Sequence, residues 1–203
     1  MRLIAVLAVV ALASTSCAVS SHTRYSRISD VAESPSDHLL HVAGRAGEVT
    51  QRDCDFLYLA TVECLYDVSL ATTAAGRATS TAVRDIARAV TNDCRERTRQ
   101  LDLIAEQHVG AAPPSRLDKS HAEMRDRVRE LSGEAFDSAY VKDLVRASQR
   151  ELRLFLVQSE LGSEPVLRSF AAAALPALLQ RERTVEEARS RLSDYASALR
   201  FEP

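Results

Sequence analysis

The sequence predicts an all-α bundle, and three observations predict it. The residue choice favours helix: Ala, Leu, Arg and Glu are abundant, and there are only six Gly and six Pro in 203 residues. Apolar residues recur at helical spacing over long stretches, as in Val83, Ile86, Val90, Cys94, Leu101 and Ile104. Turn residues then punctuate the chain where those stripes end. With 46% apolar and 27% charged residues the composition is globular, and the length suits one sizeable domain with a leader. A net charge of −2 offers no polycation, so nucleic acid is excluded as a partner. Lysine occurs only at Lys119 and Lys142, and the arginines are spread along helices rather than clustered around a phosphate-sized site.

The chain opens as an export leader. Arg2 supplies the positive start, residues 3–13 are an unbroken apolar run, and small residues follow to Ala18, so residues 1–18 read as a signal peptide. The run is too short to span a bilayer as a helix. Cys17 stands where a bacterial lipoprotein is cut and lipidated, although Ser14 occupies a position where Leu is common. Cleavage after Ala13 or after Ala18 is the alternative. Either route leads to an oxidising compartment, the periplasm, with Cys17 as a candidate lipid anchor to the outer membrane. Residues 19–50 read as a flexible tether, with a short helix expected over Ser36–Gly44 that carries His38 and His41 on one face.

The bundle domain is expected over residues 51–203. A first helix runs from Gln51 to about Ala75, and Gly76 to Thr79 make the turn. Ser80 caps a second helix that Gly110 and Pro113-Pro114 terminate. A short helix is expected over Leu117–Leu131, broken by Ser132-Gly133. The third long helix carries Val141, Leu144, Val145, Ser148, Leu152, Phe155 and Leu156 on one face and closes at Gly162. Ser163 and Pro165 open the last helix, whose stripe is Phe170, Ala174, Leu178, Arg181, Val185, Leu192 and Leu199. Pro176 lies within it and predicts a kink. Four amphipathic helices with stripes to bury give a four-helix bundle with one extra short helix. Farther along the last helix, the run Arg181-Glu182-Arg183 followed by Glu186, Glu187 and Arg189 reads as a solvated face with i,i+4 ion pairs, with a partner surface as the alternative.

The stretch Leu131-Ser132-Gly133-Glu134-Ala135-Phe136-Asp137-Ser138-Ala139-Tyr140-Val141 carries a resemblance that continues through Leu154-Phe155, Leu167 to Ala171, and Leu175 to Leu178. It resembles the domain of unknown function 4142 family. Those are exported bacterial proteins, associated by name with the outer membrane, and the resemblance implies a ferritin-like bundle. It covers about residues 56–188 and is weaker in the first helix. It implies an acidic residue on the first helix, Asp-His pairs on the second and third, and a His on the fourth, the kind of inward ligand set that holds metal in such bundles. Here Asp67 holds the first position, Asp93-Cys94 stand for the first pair, Ala147-Ser148 for the second, and Arg181 for the last His.

None of the three implied histidines is present, and that pattern argues against a metal centre. A non-haem iron site needs several carboxylate or imidazole ligands with open positions. Asp67, Asp93 and Cys94 are a poor set, and Arg181 brings a fixed positive charge to a ligand position. The five histidines, at 22, 38, 41, 108 and 121, fall elsewhere. No metal and no cofactor is expected. A nucleophilic role for Ser148 or Cys94 lacks an adjacent base, and there is no phosphate loop and no C-x-x-C pair. The expectation is therefore an exported cell-envelope protein with no assignable enzymatic activity, in a structural or interaction role with an envelope protein partner. A ferritin-like metal-binding or redox protein is the competing reading.

Two contacts are expected inside the bundle. If the correspondence holds, Asp67 and Arg181 face inward at one level and form an ion pair, since a lone buried carboxylate costs several kcal/mol. The alternative is an Arg181 that snorkels to solvent. Cys64 and Cys94 lie fifteen positions either side of Thr79, the centre of the first hairpin turn, and so at equal height. A disulfide between them is expected, closing a loop of about 30 residues and adding ~3–4 kcal/mol. Two buried thiols are the alternative. Cys54 is then either free or joined to an unlipidated Cys17.

Overall fold

The structure, a computed structural model, describes residues 48–198, with side chains to residue 194. The leader, Cys17, the short helix expected over Ser36–Gly44 and Leu199 lie outside the described residues. Within them every regular element is helical: α1 Gln51–Arg77, α2 Thr81–Ile104, α3 Lys119–Arg129, α4 Gly133–Leu161 and α5 Pro165–Ala198. One π-helical turn, Ala105–Val109, extends α2 and ends at Gly110 in the left-handed conformation (φ 68°). That turn places the stop where the sequence put it, because Gly alone adopts positive φ without a Cβ penalty.

Helix ends follow from local chemistry. Thr50 opens α1 in a capping box with Asp53. Asp118 caps α3 by accepting the His121 N–H at 2.9 Å. The α1–α2 turn borrows its cap from another helix. Asp137 of α4 accepts from the Thr79 and Ser80 amides at 3.1 and 2.7 Å and from the Thr79 hydroxyl at 2.7 Å. Asp53 does the same for the α4–α5 turn, accepting the Ser163 and Glu164 amides at 3.1 and 3.2 Å and the Gln158 amide at 2.7 Å. Those bonds outweigh burial and lower the Asp53 pKa. Gly162 is needed there because a Cβ would overlap the Gln158 side chain. Pro176 leaves α5 as one continuous helix. It and Ala172, whose carbonyl loses the N–H partner, are both solvent-exposed, so water can satisfy the freed oxygen.

Contacts across the bundle set the topology. Asp53 meets Gln158, Phe56 meets Phe155 and Tyr66 meets Asp143, so α1 and α4 run antiparallel. The hairpins α1–α2 and α4–α5 pack side by side, and one long crossover through α3 joins them, the connectivity of a ferritin-like bundle. The apolar interior has two parts. One end holds Phe56, Leu57, Leu101, Phe155, Leu167 and Leu178, with the Phe56 and Phe155 rings edge-to-face at 5.0 Å. The other holds Tyr66, Leu70, Val83, Val90, Phe136 and Tyr140, with the last two rings stacked. Charged side chains separate the two.

Candidate functional site

All four long helices contribute to that charged layer. Asp67 comes from α1, Asp93 and Arg97 from α2, Glu151 from α4 and Arg181 from α5. Their positions on the apolar stripes force them inward: Arg97 falls three residues after Cys94, and Glu151 three after Ser148. Glu151 is the hub. It accepts from Arg97 Nη1 at 2.5 Å and from Arg181 Nη1 at 3.0 Å. Arg181 also pairs with Asp67 and donates to the Ser148 hydroxyl at 3.1 Å. Arg97 reaches outward to Asp93, which is the layer's edge to solvent. Asp67, Glu151, Arg97 and Arg181 are all buried. Two guanidinium groups thus face two enclosed carboxylates, which is the pairing that a dry interior requires.

The electrostatics follow from burial and partners. Desolvation pushes Asp67 up to about 6, with Glu151 adding to the rise and Arg181 opposing it. The same two carboxylates hold the Arg181 pKa well above its ordinary value despite burial. Tyr140, stacked beneath, is raised by burial and by Asp67. Its hydroxyl is buried without a hydrogen-bond partner among the described residues.

The disulfide expected between Cys64 and Cys94 is not formed, and both are free thiols. The hairpin does bring them together, since contact with Cys64 helps raise the Cys94 thiol. Each sulfur, however, is directed at a carboxylate, Cys64 to Glu151 at 4.0 Å and Cys94 to Asp67 at 3.8 Å. Equal height along a hairpin sets proximity; the charged groups around the sulfurs set their direction. Cys54 lies at the far end of α1, and its suggested partner Cys17 lies outside the described residues.

Arg97 and Glu151 escaped the sequence reading. Their signal was present: oppositely charged residues at stripe positions of two different helices. His121, away from the implied ligand positions, is fully buried. It does not join the charged layer. It sits between Asp118, at 2.9 Å, and Glu63, at 3.8 Å, and Glu63 is gripped by Arg150 at 2.9 and 3.1 Å. His108 is at the other end of the bundle, 3.9 Å from Glu164. On the exposed face of α5, Arg189 pairs with Glu186 and Arg191 with Glu187.

A family model described as a domain of unknown function, DUF4142, matches residues 41–188. The chain belongs to the DUF4142 family. Among solved structures, the DUF4142 chain is similar to a DUF305 fragment from Deinococcus radiodurans. The TM-score is 0.62 with 18% identity, over 70% of this chain and 98% of that one. That likeness concerns the fold alone. No curated protein matches the chain.

The donor set of this DUF4142 chain does not fit a metal. The places between its inward carboxylates are taken by Arg97 and Arg181, whose protons are never surrendered. Among the described residues no three His, Cys, Asp or Glu side chains converge on a common point. What the arrangement can do is hold four helices in register through a hydrogen-bonded layer in which two arginines balance its two buried carboxylates.

Proposed function

We propose that this protein is an exported component of the bacterial cell envelope with a structural or interaction role. Its ferritin-like bundle carries an internal ion-pair layer in place of a cofactor. The observation that carries this reading is the occupation of the bundle's centre by the chain's own cations, Arg97 and Arg181, each bonded to Glu151. A centre that is self-neutralised is suited to rigidity and leaves no open position for a substrate. The leader over residues 1–18 supports export, and Cys17 supports a lipid-anchored form at the outer membrane. No described helix is long and apolar enough to cross a membrane.

Metal analysis of protein purified from its native compartment tests the reading. The expected result is no stoichiometric iron, manganese or zinc after dialysis. A metal that survives dialysis and is lost in Asp67→Asn would favour the ferritin-like metal-binding reading instead. Cross-linking in intact cells should capture an envelope protein, and mass spectrometry of the mature N-terminus should show whether it begins at a lipidated Cys17.

A further inference from the structure

We infer that α3 is a proton-latched strap: an imidazolium at His121, held between the Asp118 and Glu63 carboxylates, fastens the N-terminal half of α3 to α1. Loss of one proton as the pH rises releases that half from Glu63 of α1.

The helix itself poses the question. α3 has 11 residues, and only His121 and Val128 are buried. A short polar helix lacks the apolar stripe that would hold it down and depends on its few anchors. The deepest anchor at its N-terminal end is a histidine, where a leucine would serve a permanent contact. Met124 and Leu117 add partly buried packing against the core.

The charges around the ring favour a proton on both nitrogens. Nδ1 is 2.9 Å from Asp118 Oδ2, and Nε2 is 3.8 Å from Glu63 Oε1. A neutral imidazole has one N–H and one lone pair. In either tautomer the lone pair would face a carboxylate inside the protein, which is repulsive and poorly screened. The imidazolium donates to Asp118 and sets its positive charge beside Glu63, which Nε2 faces without a hydrogen bond.

Among the described residues, the other charged and titratable neighbours do not replace it. From α1, Tyr66 places its ring edge-on to His121 with centroids 5.5 Å apart, and its hydroxyl is committed to Asp143 of α4 at 2.6 Å. Tyr58, also on α1, is raised by burial and by Asp118 and stays protonated. From α4, Arg150 grips Glu63 and keeps it ionised, with its pKa lowered to about 2 by His121 and Arg150 against the cost of burial. Glu63 therefore remains anionic while His121 titrates. Burial opposes the His121 charge, but the two carboxylates outweigh it and raise the pKa above 6.5. A raised histidine pKa contributes stability that is full below pH 6.5 and is lost as pH rises through the folded-state value.

The C-terminal half of α3 is held by groups that do not titrate. Arg129 donates to the Thr73 hydroxyl at 3.1 Å and to the Ser69 carbonyl at 3.0 Å. Arg77 donates to the Arg129 and Leu131 carbonyls at 3.0 and 2.6 Å. Release is therefore confined to the end that carries His121, with the far end acting as the hinge. Cys64, next to Glu63, touches Glu151, so release brings water to the edge of the charged layer.

Amide hydrogen exchange of the whole mature protein from pH 5 to 9, normalised for intrinsic exchange, tests the latch. Protection at residues 121–125 should fall by up to about tenfold per pH unit above pH 6.5 and then level off. Protection at residues 126–131 and in α1 and α4 should hold. The midpoint should coincide with the His121 imidazole titration followed by NMR in the same sample. In His121→Asn the pH dependence should vanish. Flat protection in the native protein, a midpoint unrelated to the imidazole, or a fall shared equally by residues 126–131 would overturn the inference. So would a fall that persists in His121→Asn. Where that variant does not fold, the midpoint comparison in the native protein decides alone.

Discussion

The charged layer at the centre and the pocket under α3 solve one problem in two ways. Both enclose carboxylates: Asp67 and Glu151 in the layer, Glu63 under the strap. The layer answers with guanidinium groups from α2 and α5, the strap with one guanidinium from α4 and one imidazole from α3. A guanidinium keeps its charge at any physiological pH, whereas an imidazole does not. The layer is thus a permanent fastening for four long helices. The pocket is a conditional one for a short helix. The difference shows that the number of ion pairs says less about a site than which partner can titrate.

The most severe way to break the comparison is to remove a permanent cation. Arg181→Ala leaves Asp67 without its partner and Glu151 with one of two. It should cost about 3–5 kcal/mol in denaturant unfolding. A double-mutant cycle with Asp67→Asn should show strong coupling, and additive costs would mean that the Asp67–Arg181 contact contributes nothing.

Acid titration probes the pocket next. The Glu63 pKa is lowered from 4.5 to about 2, so its contribution is full above pH 4.5 and is lost as pH falls toward 2. That loss amounts to roughly 3 kcal/mol. In Glu63→Gln the acid limb of the stability curve should flatten, and an unchanged limb would show that Glu63 carries none of it.

The layer should respond with the opposite sign and over a slightly smaller span of pH. Burial raises Asp67 from 3.8 to about 6, so the folded state binds the extra proton and stability declines as pH rises across that interval. Asp67→Asn should abolish this decline, and a decline that survives the substitution must come from another group. The smallest effect is expected outside both regions. Asp137→Ala removes three bonds to the α1–α2 turn and should cost about 1 kcal/mol without altering either pH limb. A loss several times larger would show that the turn, rather than the charged layer, sets the hairpin geometry.

Much of the fold was legible because its determinants are local. The α2 stripe, Gly110 and the Gly162–Pro165 break act within a few residues of themselves. The inward positions of Asp67 and Arg181 were legible by resemblance. Arg97 and Glu151 were not, because i,i+3 and i,i+4 neighbours offer a charged side chain a surface partner as readily as a buried one. Asp93 is such a surface-side partner for Arg97.

By itself the sequence determined the helical class, the order of the long helices and the residue types that face inward, since periodicity and capping depend on the chain's own neighbours. Only the tertiary structure decided the rest. It left the Cys64 and Cys94 thiols unjoined, in contact with each other and with carboxylates, made Glu151 the hub of two arginines, and closed Asp118 and Glu63 around His121. Each of these depends on which charge arrives from another helix, and Coulomb interactions in a buried layer act across the bundle, between residues about 30–110 positions apart in the chain.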